Sequence, residues 1–239
     1  MSETCISRTF DAGLLNAIAN SANVRPLLLG DGAIDLTATL ASAANVGLVT
    51  ARGGFVMVNQ GGGDYEVHTI FERGAGDLAV KAMFAGFEYM FGRTDCLRLT
   101  TKLPDGNTQA ALLASTGGFA HLFRNPVTDV DCVELTIDRW AMASAAMEAL
   151  GGWFHEIIDA AHPNLPDHPA DAMHDRAVGA AVLMFRAGNS GKATWFYNRW
   201  AAHAGYPGIR LLSSQPAVID MGEVVVEVLG DNMGVLLCR

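Results

Sequence analysis

Two residues capable of acid–base chemistry stand two positions apart in a run rich in aromatic and β-branched residues. Glu66 and His68 lie within Tyr65–Phe71, and this composition favours a β-strand. Because side chains alternate along a strand, the carboxyl and the imidazole fall on one face. Either can act as a general base, since burial raises the pKa of a Glu and His titrates near neutrality. The alternative interpretation is two polar positions on a sheet face, satisfied by hydrogen bonds.

A glycine loop follows this strand. It reads Arg73-Gly74-Ala75-Gly76-Asp77-Leu78, and apolar residues then recur every three or four positions to Phe91, as in an amphipathic helix. A strand that enters a glycine loop and a helix N-terminus forms an anion site, because backbone N–H groups and the positive helix end face the ligand. Gly74 and Gly76 permit close approach of a phosphate, although glycine also serves in ordinary turns. Asp77 opposes an anion there but suits the helix dipole.

The remaining pattern supplies the elements that must position these residues. We predict helices over Phe10–Asn20, Leu78–Phe91, Thr108–Ser115 (capped by Asn107) and about 140–150. We predict strands over Asn45–Thr50, Gly54–Asn59, Cys96–Thr100 and Val133–Ile137. Between the first helix and the first strand we expect an extended segment over Val24–Gly30. Gly151-Gly152 marks the expected boundary. We therefore expect an α/β domain over 1–150, a central mixed sheet flanked by helices, and a C-terminal α+β extension over 151–239.

The order of these pieces resembles a known family. Strand, Arg-Gly-x-Gly loop, amphipathic helix, second strand, Asn107-x-x-Ala110 and Gly118-Phe119 resemble the GNAT superfamily of acyl-CoA N-acyltransferases over roughly residues 10–138. More narrowly, the segments Val24–Gly30, Tyr65–Thr69 and Tyr89-Met90-Phe91 look like GNAT-like proteins encoded by tailed phages and prophages.

The resemblance implies a cofactor and a reaction. The cofactor is acetyl-CoA, its pyrophosphate on the glycine loop and its pantetheine arm between two strands that splay apart, here Tyr65–Phe71 and Cys96–Thr100. The reaction is transfer of the acyl group to an amine, with Glu66 and His68 as candidate catalytic residues. The implied cofactor-binding residues are Ile70, Phe71, Arg73, Gly74, Ala75, Gly76, Asp77, Leu78 and Asn107.

Two departures from the family pattern keep a second function open. Leu78 stands where the family has Gly or Ala, and Ala114 where it has a Tyr that protonates the departing thiolate. A catalytically silent copy of a fold remains stable. The alternative function is a structural or interaction protein, for example a phage virion or tail component, and a coenzyme A-binding regulator lies between the two.

Two clusters outside this region are given less reactive interpretations. Four histidines, His155, His162, His168 and His174, are spaced without a tight pair and are interleaved with three prolines, so we expect solvated loop histidines and no metal site. Four aromatic residues, Trp195, Phe196, Tyr197 and Trp200, favour a contact surface in a homo-oligomer or an assembly with virion proteins.

Composition narrows the classes of protein to which the chain can belong. The 239 residues carry 16 Lys+Arg against 25 Asp+Glu, a net charge of −9, which argues against nucleic-acid binding. Apolar runs are too short for a membrane span. The four cysteines are widely spaced, which indicates reduced thiols in a reducing compartment. We expect a protein of the host cytoplasm or, alternatively, of the virion.

Overall fold

The fold is taken from a computed structural model that describes residues 6–144, 147–152, 155, 172–204, 210–214, 217–220, 224–229 and 233–238, with side chains to residue 203. Two compact units make up the chain. The first comprises Met1–Tyr89 and Cys96–Ile137, and the second comprises Met90–Asp95 and Asp138–Arg239. The functional boundary expected after residue 150 stays a prediction.

The first unit is built on a seven-stranded sheet. Its strands are β1 (Ser7–Thr9), β2 (Val46–Thr50), β3 (Gly53–Gly61), β4 (Asp64–Phe71), β5 (Arg98–Pro104), β6 (Ala120–Asn125) and β7 (Val130–Thr136). They are ordered β1-β2-β3-β4-β5-β7-β6. Neighbours are antiparallel except for β4 and β5, which run parallel. The expected mixed α/β architecture is therefore confirmed.

Helices cover both faces of this sheet. They are α1 (Gly13–Ala19), α2 (Thr37–Ala41), α3 (Gly76–Arg93) and α4 (Thr108–Thr116). On one face, Leu15 and Ile18 of α1 share a core with Val56 of β3 and Ile70 of β4. On the other face, Gly86 of α3 lies close to Leu48, Phe55 and Met57. Because side chains alternate, strand β3 contributes to two separate hydrophobic layers, Val56 to one and Phe55 and Met57 to the other.

The segment expected to be extended after α1 is a short 3₁₀ helix instead. Arg25–Leu27 form this turn, and the Arg25 guanidinium donates to the backbone carbonyls of Leu28, Gly30 and Gly32. The prediction of an extended Val24–Gly30 was wrong because these three bonds fold the chain back around one side chain, which outweighs the local preference before proline.

Strand β5 begins and ends later than expected. It covers Arg98–Pro104 rather than Cys96–Thr100, and Cys96 lies buried before it. The antiparallel register with β7, from Arg98↔Thr136 to Pro104↔Val130, carries the strand to the turn. Ile137, expected at the end of a strand, instead starts helix α5 (Ile137–Ala143).

The second unit contains helices and a separate sheet. Its helical residues are 147–152 and 155, α6 (Ala172–Arg186) and α7 (Ser190–Ala204). Four strands follow, β8 (Arg210–Ser214), β9 (Ala217–Asp220), β10 (Val224–Leu229) and β11 (Met233–Cys238). They form an antiparallel sheet in the order β11-β10-β9-β8.

Two of the four clustered histidines contradict the expectation of a solvated loop. His155 is 6% exposed and His174 is 3% exposed, and both are helical. His162 and His168 lie outside the described residues. The prediction was wrong for His155 and His174 because both lie in helices whose packing buries their rings. The prolines on which the prediction rested lie elsewhere in the segment.

The aromatic cluster of α7 is divided between core and surface. Phe196 and Tyr197 are buried, whereas Trp195 is 45% exposed and lies near the guanidinium of Arg199. Across the described residues, the helices are too short or too polar to cross a lipid bilayer.

Candidate active-site cavity

A cavity of about 350 Å³ lies in the first unit, beside the strand that carries Glu66 and His68. Its lining comes from four parts of the chain. They are the segment 27–36, strands β3 and β4, strand β5, and helices α3 and α4 with Phe119. The cavity is largely apolar, and the polar groups of Glu66, His68, Lys102 and Asn107 converge on it.

The cavity occupies an opening in the sheet. Strands β4 and β5 share a parallel register only over three pairs, from Asp64↔Arg98 to Glu66↔Thr100. Beyond these pairs, Val67–Ile70 and Thr101–Pro104 line the cavity from opposite sides. We call this opening the β4–β5 gap.

Residues from both sheet faces line the same cavity, so the gap passes through the sheet. His68 pairs with Val56, whose side chain belongs to the α1 core, whereas Thr69 pairs with Phe55, which faces α3. Both His68 and Thr69 line the cavity. An elongated ligand can therefore cross the sheet between its two layers of helices.

The edge of β4 offers hydrogen-bonding groups to such a ligand. The hydroxyls of Thr100 and Thr101 donate to the carbonyls of Tyr65 and Val67, at 3.4 and 2.8 Å. Peptide groups alternate in direction along a strand, so the peptide of Thr69 faces the gap as well. An extended molecule containing amides can pair there as a further strand does.

A carboxylate, an imidazole and an ammonium group meet at the wall of the gap. Nζ of Lys102 donates to both carboxylate oxygens of Glu66, at 3.0 and 3.1 Å. Nε2 of His68 lies 3.7 Å from Oε1 of Glu66. The expectation that Glu66 and His68 share a face is therefore confirmed, and Lys102, whose side chain is about half exposed, is part of the same group.

The surroundings keep His68 in its neutral form at pH 7. Burial lowers the pKa of His68, nearby Glu66 raises it, and Lys102 lowers it again, with a net decrease. About half of the side chain is exposed, so the ring remains accessible from the cavity. A neutral imidazole at neutral pH can accept a proton.

The glycine loop joins the end of β4 to the N-terminus of α3, in the expected order. Gly74 has φ +80°, and α3 begins at Gly76. Arg52 supports the loop, donating to the carbonyls of Arg73 and Gly74 and to Glu72. A Cβ at Gly76 would have no described atom within 4 Å, so the fold itself does not require glycine there.

The two arginines near the loop differ in their contacts. Within the described chain, no hydrogen bond or ion pair is recorded for the Arg73 guanidinium, and its side chain is exposed. Asp77 lies in the first turn of α3. Arg73 is therefore the cation best placed to meet an anionic group at the loop, whereas Arg52 is committed to the protein backbone.

Other predicted cofactor residues differ in their placement. Ile70 lines the cavity from the α1 core, whereas Phe71 contacts Phe55 edge-on at 5.2 Å. The loop residues Arg73, Gly74, Ala75, Gly76, Asp77 and Leu78 lie beyond the end of β4 and outside the cavity lining. The cavity and the loop are thus consecutive along β4 and α3.

Asn107 and Ala114 belong to α4 and its cap. Oδ1 of Asn107 accepts from the amide of Ala110 at 3.1 Å, which confirms the predicted cap, and Nδ2 donates to the carbonyl of Leu27 at 3.3 Å. Ala114 is 7% exposed and lines the cavity. The position where the family resemblance expects an acid therefore faces the cavity with a methyl group.

Sequence reasoning did not identify two residues that shape this site. Arg25 holds the segment that contributes Leu27, Leu28 and Leu29 to the cavity wall. Thr101 binds the Val67 carbonyl where the β4–β5 register ends. The sequence signal for Thr101 was the pair of threonines near the middle of β5. For Arg25, an arginine before a proline, the sequence held no such signal.

Comparisons with known proteins give structural likenesses only. No protein-family model matches the chain. No curated protein matches its sequence. Among solved structures, the N-acetyltransferase PseH of Campylobacter jejuni in complex with acetyl coenzyme A is 16% identical, with a TM-score of 0.36 over 43% of this chain and 74% of that one.

Two further structures match a larger share of the chain. A probable acetyltransferase of the GNAT family from Chromobacterium violaceum is 18% identical, with a TM-score of 0.46 over 56% of this chain and 88% of that one. Spermidine N-acetyltransferase from Vibrio cholerae, in complex with CoA and spermine, is 13% identical, with a TM-score of 0.46 over 57% of this chain and 96% of that one. The chain is thus similar in structure to acetyltransferases that include GNAT proteins.

Proposed function

We propose that the chain is an acyl-CoA N-acyltransferase that uses acetyl-CoA and an amine acceptor. The observation that carries this proposal is the β4–β5 gap, a cavity through the sheet with Glu66 and His68 on its wall. The gap side of β4, where the peptide of Thr69 follows the carbonyls bound by Thr100 and Thr101, suits an amide of a pantetheine arm. The glycine loop at the end of the same strand, beside Arg73, suits the pyrophosphate.

In this proposal His68 is the general base. The amine nitrogen attacks the thioester carbonyl carbon, the carbon–sulfur bond breaks, and the proton lost by the amine passes to Nε2 of His68. Glu66 lies 3.7 Å from that nitrogen and stabilises the imidazolium that forms. Lys102 fixes the carboxylate in position through its contacts with both oxygens.

The leaving thiolate departs without a protein acid at Ala114. A thiol has a pKa of about 8.5, so its thiolate is a stable leaving group near neutral pH. The methyl group at this position also leaves space beside the gap, because Ala114 lines the cavity. Turnover in this mechanism depends on the base and on positioning rather than on a general acid.

The acceptor side of the cavity indicates an amine carried on an apolar body. Leu27, Leu28 and Leu29 contribute to the wall, together with Ile34 and Leu36. Burial of an apolar acceptor against these side chains gives binding energy without a second charged partner. Glu66, bound to Lys102, remains to orient the amine toward His68.

Calorimetry with acetyl-CoA tests the cofactor half of this proposal. We expect micromolar binding to the wild-type chain and loss of binding in Gly76→Trp, whose side chain occupies the space before α3. Lys81→Trp, at an exposed position of the same helix, is the matched control and should bind normally. Absence of wild-type binding at millimolar acetyl-CoA would exclude the transferase.

A second experiment tests transfer itself. The wild-type chain is incubated with acetyl-CoA and a panel of amines that differ in apolar size, and release of free thiol is followed. We expect release that depends on the amine and is lost in His68→Gln. Cofactor binding without release for every amine would instead support a coenzyme A-binding regulator.

A specific observation favours an interaction role as the second candidate. Strand β6 is an edge of the sheet, and Leu122 and Phe123 on it and Val127 after it are 43%, 50% and 91% exposed. Exposed apolar residues on an open edge are typical of strand pairing with another chain. Homo-oligomerisation, or assembly as a phage virion or tail component, would use this edge.

Light scattering distinguishes this role. We expect an oligomer that dissociates in Phe123→Lys, with acetyl-CoA binding unchanged if both functions coexist. A monomer at all concentrations, together with absence of the chain from purified phage particles, would contradict the interaction role.

A further inference from the structure

Two buried histidines and an aspartate come together in the second unit, away from the cavity. The rings of His155 and His174 are 5.3 Å apart between centroids, with their planes at 63°. Oδ1 of Asp175 lies 3.8 Å from Nε2 of His155. The three possible ligand atoms are all within 4.8 Å of one another.

Glycine contacts between two helical segments explain this convergence. A Cβ at Gly151 would overlap the backbone carbonyl of Asp175, and one at Gly179 would overlap the carbonyl of Met147. The backbones of 147–152 and α6 therefore touch, which only glycine permits. His155 follows Gly151 by four residues and Asp175 precedes Gly179 by four, the spacing that places helical side chains on one face.

An arginine fixes the same pair of segments. The Arg176 guanidinium donates to the carbonyl of Met142 at 2.6 Å and to Glu148 at 3.1 Å. The ring of Tyr197, itself buried, packs edge-on against His174 at 5.9 Å. The two histidine rings are thus held by packing inside the second unit, which favours a preorganised ligand set.

We propose that His155, His174 and Asp175 bind one divalent zinc-like metal ion. Two imidazole nitrogens and one carboxylate oxygen are a common ligand set for zinc. Ligands of one tetrahedral zinc lie about 3.4 Å apart, given bond lengths of about 2.0–2.1 Å. Small side-chain rotations that reduce the 4.8 Å separation bring all three atoms to one ion.

Three protein ligands leave the fourth tetrahedral position to water, and the burial of both histidines points to a role in stability. Neutral imidazoles and an ionised carboxylate offset one of the two positive charges of the ion. An ion bound there joins His155 to α6 and stabilises the second unit. Sequence spacing did not show this site, because its histidines are 19 residues apart and come from two segments rather than one helix face.

Metal binding to the full-length, tag-free wild-type chain tests the proposal. The protein is treated with a chelator, dialysed and titrated with Zn²⁺, and with Co²⁺ as a spectroscopic probe. We expect one equivalent of Zn²⁺ per chain, a visible Co²⁺ spectrum of tetrahedral type that Zn²⁺ abolishes, and a thermal unfolding midpoint that rises with Zn²⁺.

Substitutions then locate the ion. His155→Ala and His174→Ala should each weaken Zn²⁺ binding at least 100-fold, whereas His203→Ala, an exposed histidine of the same unit, should bind normally. The Co²⁺ spectrum of wild-type protein needs no variant and covers the case in which these variants fail to fold. Absence of a tetrahedral Co²⁺ spectrum, or equal Zn²⁺ affinity in a folded His174→Ala chain, would overturn the proposal in favour of a hydrogen-bonded histidine pair.

Discussion

Lys102 binds both oxygens of Glu66 across 36 residues of sequence, joining β5 to β4 at the mouth of the gap. This contact places a positive charge beside the carboxylate, and both side chains line the cavity. Glu66 raises and Lys102 lowers the pKa of His68, so the ion pair moderates the effect of each charge on the imidazole. The three side chains therefore form one electrostatic group, in which both charges act on the pKa of His68.

Removal of the ammonium should raise the pKa of His68. In Lys102→Gln, Glu66 remains and its attraction for the imidazolium is no longer opposed. With His68 as the proposed base, wild-type activity should fall as the pH drops through a His68 pKa that lies below the ordinary 6.5. We expect the acid limb of the pH–rate profile, and the His68 NMR titration, to move to higher pH in the variant. Lys81→Gln, an exposed lysine of α3, is the control. A midpoint that stays in place or moves to lower pH would contradict this electrostatic assignment.

Loss of the proposed base should reduce turnover without loss of cofactor. In His68→Gln we expect kcat to fall about 10²–10⁴-fold, the usual contribution of a general base. The affinity for acetyl-CoA should stay within about twofold, because the glycine loop is unchanged. Stopped-flow thiol release and calorimetry measure the two quantities separately. A variant with normal kcat would remove His68 from the mechanism.

The two glycines of the loop should differ in their effect on stability. Gly74 has φ +80°, so Gly74→Ala should lower the free energy of unfolding by about 1–2 kcal/mol. Gly76 starts a helix, and a Cβ there meets open space among the described atoms, so Gly76→Ala should not lower it. Chemical denaturation measures both variants, and equal losses would contradict the loop conformation.

Adjacent glycines in the second unit provide a similar comparison. Gly151→Ala forces a methyl group against the Asp175 carbonyl and should lower the free energy of unfolding by about 1–3 kcal/mol. Gly152→Ala has no described atom within 4 Å of its Cβ, and alanine favours a helix, so its stability should be equal or higher. If both variants unfold together with the wild type, the helical segments do not touch as described.

Much of the fold could be predicted from local sequence patterns. The hairpin of β2 and β3, strand β4 and helix α3 each have a clear hydrophobic period and a glycine turn at one end, and the structure places them within about three residues of expectation. The shared face of Glu66 and His68 follows from strand alternation alone, which requires no knowledge of neighbouring elements.

Features that depend on distant residues could not be predicted. Arg25 folds its own segment by binding three backbone carbonyls, a preference that competes with local propensity and has no periodic signal. Lys102 resembles a surface lysine until the parallel pairing of β4 and β5 brings Glu66 beside it. The convergence of His155 and His174 depends on a glycine contact between two segments.

The small number of pairs between β4 and β5 divides the sheet into two ribbons, β1-β2-β3-β4 and β5-β7-β6. Three register pairs join them, against eight between β3 and β4 and seven between β5 and β7, and of the described strands only the edge strand β1 is held by as few. Separating β4 from β5 therefore breaks fewer register pairs than separating any other two interior neighbours in this sheet. An extended molecule bound in the opening would pair with both strands, so its binding should slow amide hydrogen exchange in β4 and β5. The proposed site and the interior boundary with the fewest strand pairs in the first unit are thus one feature, and a bound ligand would act there as an added strand.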